Sequence, residues 1–208
     1  MTGRSGAATD RRGQIINSAV GMMTSHGIAG ATTARIAADV GISEPALYRH
    51  FENKREILLA ALAQIGAQLI AHTTSAAAGS AGDVERIRLM SAAFYDFVMS
   101  HPEETRVLFD AVSAARDQEM RRALNQQFAG LLGIIEAVLA GGVESGSLRA
   151  GLDVPLAAWE IFSLGITLHF ASILGFSEVL TREKALAAVD RLLDSMVNDT
   201  TDERRKGI

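Results

Sequence analysis

The sequence predicts an all-α protein, and three observations support this fold class. Only three prolines occur in 208 residues, so long stretches can be helical without interruption. Alanine, the strongest helix former, is abundant. Apolar residues recur at the three- and four-residue spacing of amphipathic helices, whereas the alternation typical of strands is scarce.

The first four predicted helices follow from start and stop signals. Gly27 ends the first helix, Thr33 is the expected N-cap of the second, and Ser43 can cap the third, with Pro45 in its first turn. Asn53, with Glu56 three residues later, predicts the capped start of a fourth helix of about 22 residues. The earlier three are expected at Asp10–His26, Thr33–Val40 and Glu44–His50.

Five further helices with softer edges are expected in the rest of the chain. His101 and Pro102 make a sharp break, and Gly141, Gly142 and Gly146 predict the end of the long middle helix. No internal repeat is visible. These helices are expected at Asp83–Ser100, Pro102–Val112, Asp117–Val143, Asp153–Leu174 and Thr181–Asn198.

Composition excludes several classes of protein. The absence of cysteine excludes disulfides and thiolate metal sites. Residues 1–9 lack the apolar core of a signal peptide and predict a disordered tail, so a cytoplasmic location is expected. The apolar stretch from Val154 to Phe176 is interrupted by Glu160 and His169, which favours a buried helix over a membrane span.

Charge is distributed unevenly along the chain. The net charge is −4, yet residues 1–57 hold seven basic and five acidic side chains, a net of +2. The remainder carries a net of −6. A slightly basic segment on an acidic body is typical of a DNA-contacting head and a non-contacting body.

The second and third helices form a helix-turn-helix pattern from Thr33 to His50. Gly41 permits the tight turn between them, and Ala37 permits their close approach. The outer face of the third helix is then left for the major groove of DNA. A small helical hairpin without a DNA role is the alternative. The expected core of this motif consists of Ile36, Val40, Ile42, Leu47 and Phe51.

The run from Thr32 to Lys54 resembles the N-terminal signature of TetR-type (tetracycline-repressor-type) regulators, above all Leu47 to Phe51 leading into Asn53 and Lys54. The strong resemblance covers about residues 10–60. It implies an N-terminal three-helix helix-turn-helix DNA-binding domain and a C-terminal helical ligand-binding and dimerisation domain. The divisions expected are a disordered tail at 1–9, the DNA-binding domain at 10–56, the ligand-binding and dimerisation domain at 57–200 and a flexible tail at 201–208.

The resemblance also implies roles for single residues. Contacts to the DNA backbone, which fix register, fall to Thr33, Tyr48, His50 and Lys54. Base reading falls to Ser43, Glu44, Pro45, Ala46 and Arg49. Tyr48 could instead be a packing aromatic, His50 a surface residue, and Glu44 a residue that only favours the helix dipole. Ala34 departs from the family, in which a longer polar side chain often adds a base contact.

In the C-terminal body, the resemblance implies a homodimer through the last two helices and a site for a small hydrophobic or aromatic effector. Ligand binding would shift the spacing of two heads on a near-palindromic, double-stranded operator, so a repressor is expected. Met and Phe at helical spacing are usually core residues, which is the alternative for each pocket candidate. The candidates are Met90, Phe94, Phe97, His101, Phe109, Phe128, Leu132, Trp159, Phe162 and His169.

The sequence leaves two rival functions to this interpretation. An enzyme is disfavoured because no nucleophile–base–acid set or phosphate-binding glycine loop is visible, and His101 with Glu104 is too few ligands for a metal. The other rival is a helical DNA-binding protein without a small-molecule switch. No cofactor, metal or membrane contact is expected.

Overall fold

The computed structural model describes residues 3–114 and 118–197, and in this part of the chain the regular structure is entirely helical. A 3₁₀ helix, Phe176–Glu178, was not predicted. The predicted helix ends at Asp117 and Asn198, and the expected flexible tail at 201–208, lie outside the described residues. The α-helices are α1 (Gly3–Gly30), α2 (Thr33–Val40), α3 (Glu44–Leu47), α4 (Lys54–Ala76), α5 (Asp83–Ser100), α6 (Pro102–Ala114), α7 (Gln118–Glu144), α8 (Val154–Ile173) and α9 (Arg182–Met196).

Helix α1 is longer at both ends than the sequence predicts. It begins at Gly3, so residues 3–9 are helical here and do not form the expected disordered tail. Alanine at 7 and 8 favours propagation of a helix that is already nucleated. Gly27 interrupts the helix with φ 70° and ψ 170°, yet one further turn reaches Gly30. The predicted stop at Gly27 is therefore a kink.

The helix-turn-helix elements differ in detail from the prediction. Thr32, and not Thr33, caps α2, because its hydroxyl accepts the Arg35 N–H at 3.3 Å. Helix α3 ends at Leu47, whereas a helix to His50 was expected, and residues 48–50 continue as turns. Ser43 occupies the N-cap position without a side-chain hydrogen bond to the helix.

The C-terminal helices lie close to their predicted bounds. Helix α7 includes Gly141 and Gly142 and ends at Glu144, one residue beyond the predicted end. A Cβ at position 142 would lie 2.6 Å from Cδ1 of the fully buried Leu148. A side chain at position 142 would therefore crowd Leu148, and the turn is made by Gly146, whose φ of 76° is left-handed.

The chain forms two compact units that do not follow the order of the sequence. The first contains residues 1–69 and 101–127, and the second contains residues 70–100 and 128–208. Helix α4 thus belongs to both units. The predicted domain boundary between residues 56 and 57 stays a prediction.

In the first unit, α1 packs against α2 and α6. Helix α1 has an apolar stripe that is largely buried, since Ile15, Ala19 and Met23 are fully enclosed. Helix α6 contributes Val107, Leu108 and Ala111 to the buried set of this unit. This core supports the helix-turn-helix described below.

In the second unit, α5, α8 and α9 pack against one another. Helix α8 has two apolar faces, and only one of them is buried. The core of the unit includes Ile87, Met90, Ile135, Val138, Leu139, Leu148, Ala157, Ala158, Ile161, Val189, Leu193 and Met196.

Three of the described helices, α4, α7 and α8, are long and apolar enough to cross a membrane when only length and composition are considered. The sequence analysis expected Glu160 and His169 to disfavour a membrane span in α8, but these two residues do not remove α8 from the helices that could cross a membrane. Part of each apolar stretch is buried within the fold, 44% for α4, 28% for α7 and 33% for α8. Core packing accounts for that part of the apolar surface.

Candidate DNA-binding site and effector region

The turn between α2 and α3 has the geometry of a tight left-handed helix cap. Gly41 has a φ of 72°, which a side chain would strain. Its N–H donates to Ala38 O at 3.1 Å, and the N–H of Ile42 donates to Ala37 O at 2.9 Å. These bonds satisfy the last carbonyls of α2 and fix the direction in which the chain enters α3.

Beneath the motif lies a small apolar core that fixes the orientation of α3. Ile36 and Leu47 are fully buried, and Phe51 is 2% exposed. Val40 and Ile42, which the sequence also assigned to this core, are only half-buried. Because Leu47 is anchored, the opposite face of α3 points away from the core.

That outer face carries most of the residues that the sequence assigns to DNA. Ser43, Glu44, Pro45 and Arg49 are exposed, and Ala46 is half-buried. The Tyr48 side chain is 45% exposed, which argues against a packing role. Thr33, His50 and Lys54 are half-buried, and Lys54 is the first residue of α4. The structure therefore places the predicted residues on α3, in the turn that follows it and at the first residues of α2 and α4.

Thr33 has a partner that the sequence did not indicate. Its hydroxyl donates a hydrogen bond to the Glu44 carboxylate, which links the first residue of α2 to the first residue of α3. A hydroxyl has a single proton to donate. In this structure Thr33 therefore orients Glu44, whereas the resemblance implies donation to a DNA phosphate.

Arg12 was overlooked as well, because in the sequence it is merely one of the basic residues before the motif. Its guanidinium donates to the backbone oxygen of His50 and, at 2.8 Å, to Glu56. It also lies 4.0 Å from the centroid of the Phe51 ring. One side chain of α1 thus holds the segment that joins α3 to α4.

Glu56 completes this network. Its N–H donates to the Asn53 side chain at 3.0 Å, as the predicted cap requires, while its own carboxylate accepts the N–H of Glu52 at 2.7 Å. The hydrogen bond from Arg12, followed by that from Glu52, lowers the pKa of the Glu56 carboxyl below its ordinary value. The carboxylate is therefore the stable form next to the DNA-facing helix.

The predicted effector-pocket residues fall into both compact units. His101 and Phe109 belong to the first unit and are half-buried. The remainder belong to the second unit, where Met90, Phe97 and His169 are buried. Half-buried members of the second unit are Phe94, Phe128, Leu132 and Phe162, whereas Trp159 is 56% exposed.

Phe94 of α5 and His169 of α8 form the buried contact of this set. Their rings meet edge to face with centroids 5.3 Å apart. A Cβ at Gly165 would lie 3.2 Å from two carbons of the Phe94 ring, so the glycine permits this approach. Nδ1 of His169 lies 3.3 Å from Gly165 O. A carbonyl oxygen only accepts, so Nδ1 carries the proton and Nε2 is left as an acceptor.

Burial lowers the pKa of His169 below its ordinary value, and the contact with Gly165 offsets only part of that effect. The imidazole is therefore neutral at physiological pH. A separate set of aromatic contacts involves α7 and α8. Phe162 meets Phe128 at 5.9 Å and Trp159 at 5.4 Å, both nearly perpendicular.

The exposed apolar face of α8 repeats at seven-residue spacing. Trp159, Ile166 and Ile173 mark one row, and Leu156 and Phe170 lie on the same side of the helix. The exposed fractions of these five side chains range from 37% to 57%. Among the described residues, no cluster of three or more histidine, aspartate or glutamate side chains could hold a metal ion.

A helix-turn-helix with an exposed recognition face, joined to a larger helical body, defines a DNA-binding transcription regulator. Residues 15–61 match the family profile described as "Bacterial regulatory proteins, tetR family". Residues 83–198 match the profile "BetI-type transcriptional repressor, C-terminal". The chain belongs to the TetR family of bacterial transcriptional regulators, as the resemblance predicted.

Known relatives agree with this assignment. The fatty acid metabolism regulator protein of Bacillus subtilis is 26% identical over 149 residues, 72% of this chain and 76% of the relative. Nucleoid occlusion factor SlmA of Haemophilus influenzae is 31% identical over 131 residues, 59% of this chain and 60% of that protein. The crystal structure of FadR from B. subtilis in complex with stearoyl-CoA superposes with a TM-score of 0.70 at 23% identity, covering 89% of this chain and 97% of FadR.

Proposed function

We propose that the chain is a dimeric repressor that an apolar effector with a long acyl chain releases from a near-palindromic operator. The observation that carries this proposal is the similarity to the fatty acid metabolism regulator of B. subtilis. The structure of FadR from the same organism contains stearoyl-CoA. An acyl chain fits the expectation of a small hydrophobic effector.

The second unit offers suitable surroundings for such a ligand. Ligand sites are mostly apolar and aromatic, with a few placed polar groups. Phe94, Phe128 and Phe162 supply aromatic surface, and the neutral His169 supplies a single polar group. An uncharged imidazole favours a ligand segment without a carboxylate, such as an acyl chain that enters beyond its thioester.

The exposed face of α8 supports dimerisation through the last two helices. Leu156, Trp159 and Phe170 are each at least half exposed on one side of this helix. A second copy of the same face would remove them from water, which stabilises association by roughly 25 cal/mol per Å² of apolar surface. A two-fold dimer presents two heads and therefore selects an operator with two related half-sites.

Release requires that effector binding and DNA binding be coupled. Helices α4 and α7 both run from the first unit into the second, and α4 is the proposed route of coupling because it follows the recognition helix and starts at Lys54. A coupling free energy of about 1–3 kcal/mol would reduce DNA affinity roughly 5- to 150-fold. A regulator of this kind acts in the cytoplasm, where it contacts the chromosome.

The test combines DNA binding with ligand binding. Fluorescence anisotropy with a duplex from upstream of the protein's own gene is measured with stearoyl-CoA, a short-chain acyl-CoA and CoA alone. Stearoyl-CoA is expected to release the DNA and to raise the melting temperature, whereas CoA alone should do neither. Phe162→Ala should weaken the response to stearoyl-CoA and leave DNA affinity in its absence unchanged.

A second candidate is a DNA-binding protein without a small-molecule switch. It is favoured by the 31% identity to SlmA, whose name as a nucleoid occlusion factor describes no small-molecule effector. DNA affinity that neither acyl-CoA thioester nor CoA alters, together with an unchanged melting temperature, would support this candidate over the effector-released repressor.

A further inference from the structure

We infer that Thr33 is a specificity-determining residue that acts through Glu44: it positions the Glu44 carboxylate to read a cytosine amino group. The inference depends on the DNA-reading part of the proposed function and not on release by an effector. It assigns the Thr33 hydroxyl to Glu44, whereas the resemblance implies that the hydroxyl and the backbone N–H of Thr33 both donate to a DNA phosphate.

The first step is that Thr33 is not needed as the N-cap of α2. The first residues of a helix have unpaired N–H groups that a side-chain oxygen normally caps. In α2 the cap is Thr32, whose hydroxyl accepts the Arg35 N–H. The Thr33 hydroxyl is therefore left for another partner, and that partner is Oε1 of Glu44.

The second step concerns the proton of that hydroxyl. Thr33 has one proton to donate, and it donates it to a carboxylate, which is a stronger acceptor than a neutral oxygen. A phosphate could receive the same proton only if Glu44 released it. Glu44 would then lose the hydrogen bond that orients its carboxylate.

The third step concerns what the restrained carboxylate can do. Glu44 is the first residue of α3, and N-terminal residues of a recognition helix are the ones that meet base edges. One carboxylate oxygen accepts from Thr33, and the other oxygen remains able to accept. In the major groove only cytosine and adenine present amino donors, and glutamate pairs well with the N4 amino group of cytosine. Fixing the rotamer in the free protein removes the entropy cost of ordering it on DNA.

The experiment selects DNA from a pool of duplexes with randomised sequence, using the full-length protein without effector, and measures base preference position by position. Thr33→Val keeps the shape and removes the hydroxyl, and Thr33→Ser keeps the hydroxyl. We expect Thr33→Val and Glu44→Ala to lose about tenfold discrimination at the same single base pair of each half-site, with Thr33→Ser retaining it.

The double variant separates positioning from direct contact. If Thr33 acts through Glu44, Thr33→Val has no further effect on base preference or affinity once Glu44 is alanine. A uniform loss of affinity for all sequences in Thr33→Val, repeated in the Glu44→Ala background, would overturn the inference in favour of a phosphate contact. Unchanged base preference in Glu44→Ala would overturn it as well. Failure of stearoyl-CoA to release DNA would leave these outcomes unaffected, so the two proposals can fail separately.

Discussion

The guanidinium of Arg12 lies 4.0 Å from the centroid of the Phe51 ring and donates to the backbone of His50 and to the carboxylate of Glu56. One residue of α1 therefore fixes the segment between the recognition helix and α4. Since the Arg12 side chain is 43% exposed, the ion pair itself contributes little, and the geometric role is the more important one.

Arg12→Met is expected to destabilise the first unit by about 1–2 kcal/mol, because it removes the cation–π contact and the charged hydrogen bonds. DNA affinity should fall for all sequences, since α3 is held less firmly. Urea unfolding and anisotropy at one fixed protein concentration measure both effects. Arg11→Met is the matched control, because Arg11 makes a single, long hydrogen bond of 3.5 Å, to Val40 O, within the part of the chain that the structure describes. Equal stability and affinity of the two variants would contradict the role assigned to Arg12.

His169 makes stability depend on pH in a defined direction. Its pKa is lowered in the folded state by burial, so the unfolded chain binds a proton more readily than the folded chain. The stability that follows is fully present above the ordinary value of 6.5 and is lost as pH falls from there towards the lowered folded pKa.

His169→Phe removes this dependence while keeping an aromatic ring against Phe94. The melting temperature is compared at pH 7 and at about one unit below the ordinary pKa of 6.5. Between these two conditions it should drop more for the natural protein than for the variant. The carboxylates are common to both proteins, so the difference between the two curves isolates His169. Parallel curves would mean that the imidazole titrates normally in the fold.

The helix positions were predictable because the signals that set them are local. Pro102, Asp153 and Thr181 lie at or next to the first turns of α6, α8 and α9, where capping and the fixed φ of proline act. The recognition face of α3 followed from the same local pattern. This face is exposed in the structure because Leu47, on the opposite side of α3, is buried.

What the sequence could not supply were the contacts between residues far apart in the chain. Arg12 and Glu56 are separated by 44 residues, and Thr33 and Glu44 by 11. Periodicity carries no information about which polar side chains meet across a fold. The same limit explains Gly142, which looks like a helix stop until the position of Leu148 is known.

Gly142 and Gly133 provide a matched pair of glycines in one helix. Gly142→Ala should destabilise the second unit by about 1–3 kcal/mol, because the new methyl group would displace the fully buried Leu148. Gly133→Ala meets no atom within 4 Å and should stabilise α7 by up to about 1 kcal/mol. Thermal unfolding of the two variants measures the difference. A stabilising Gly142→Ala would mean that Leu148 has room to move.

Phe170 tests the proposed dimer face. It is 50% exposed on α8, and Phe170→Glu would place a charge within the apolar surface of both copies. The dissociation constant of the dimer is expected to rise at least tenfold, as measured by analytical ultracentrifugation over a range of concentrations. Val112→Glu, at a side chain 49% exposed on α6, is the control and should leave the assembly unchanged. Dissociation by the control and not by Phe170→Glu would move the interface away from α8.

The DNA-facing residues should separate into two groups by their effect on affinity and on base preference. Tyr48→Ala and Lys54→Ala are expected to weaken binding to all sequences. Loss of the lysine should also reduce the slope of log K against log salt concentration by about one per phosphate contact. Arg49→Ala should instead relax the preference at one base pair per half-site, at a cost of about 1–3 kcal/mol for the preferred base. Titrations on the selected operator and on single-base variants at three salt concentrations distinguish the groups. If Arg49→Ala weakened binding to every sequence equally, Arg49 would be a phosphate contact. If Tyr48→Ala and Lys54→Ala left DNA affinity unchanged, the orientation of α3 on DNA would have to be different.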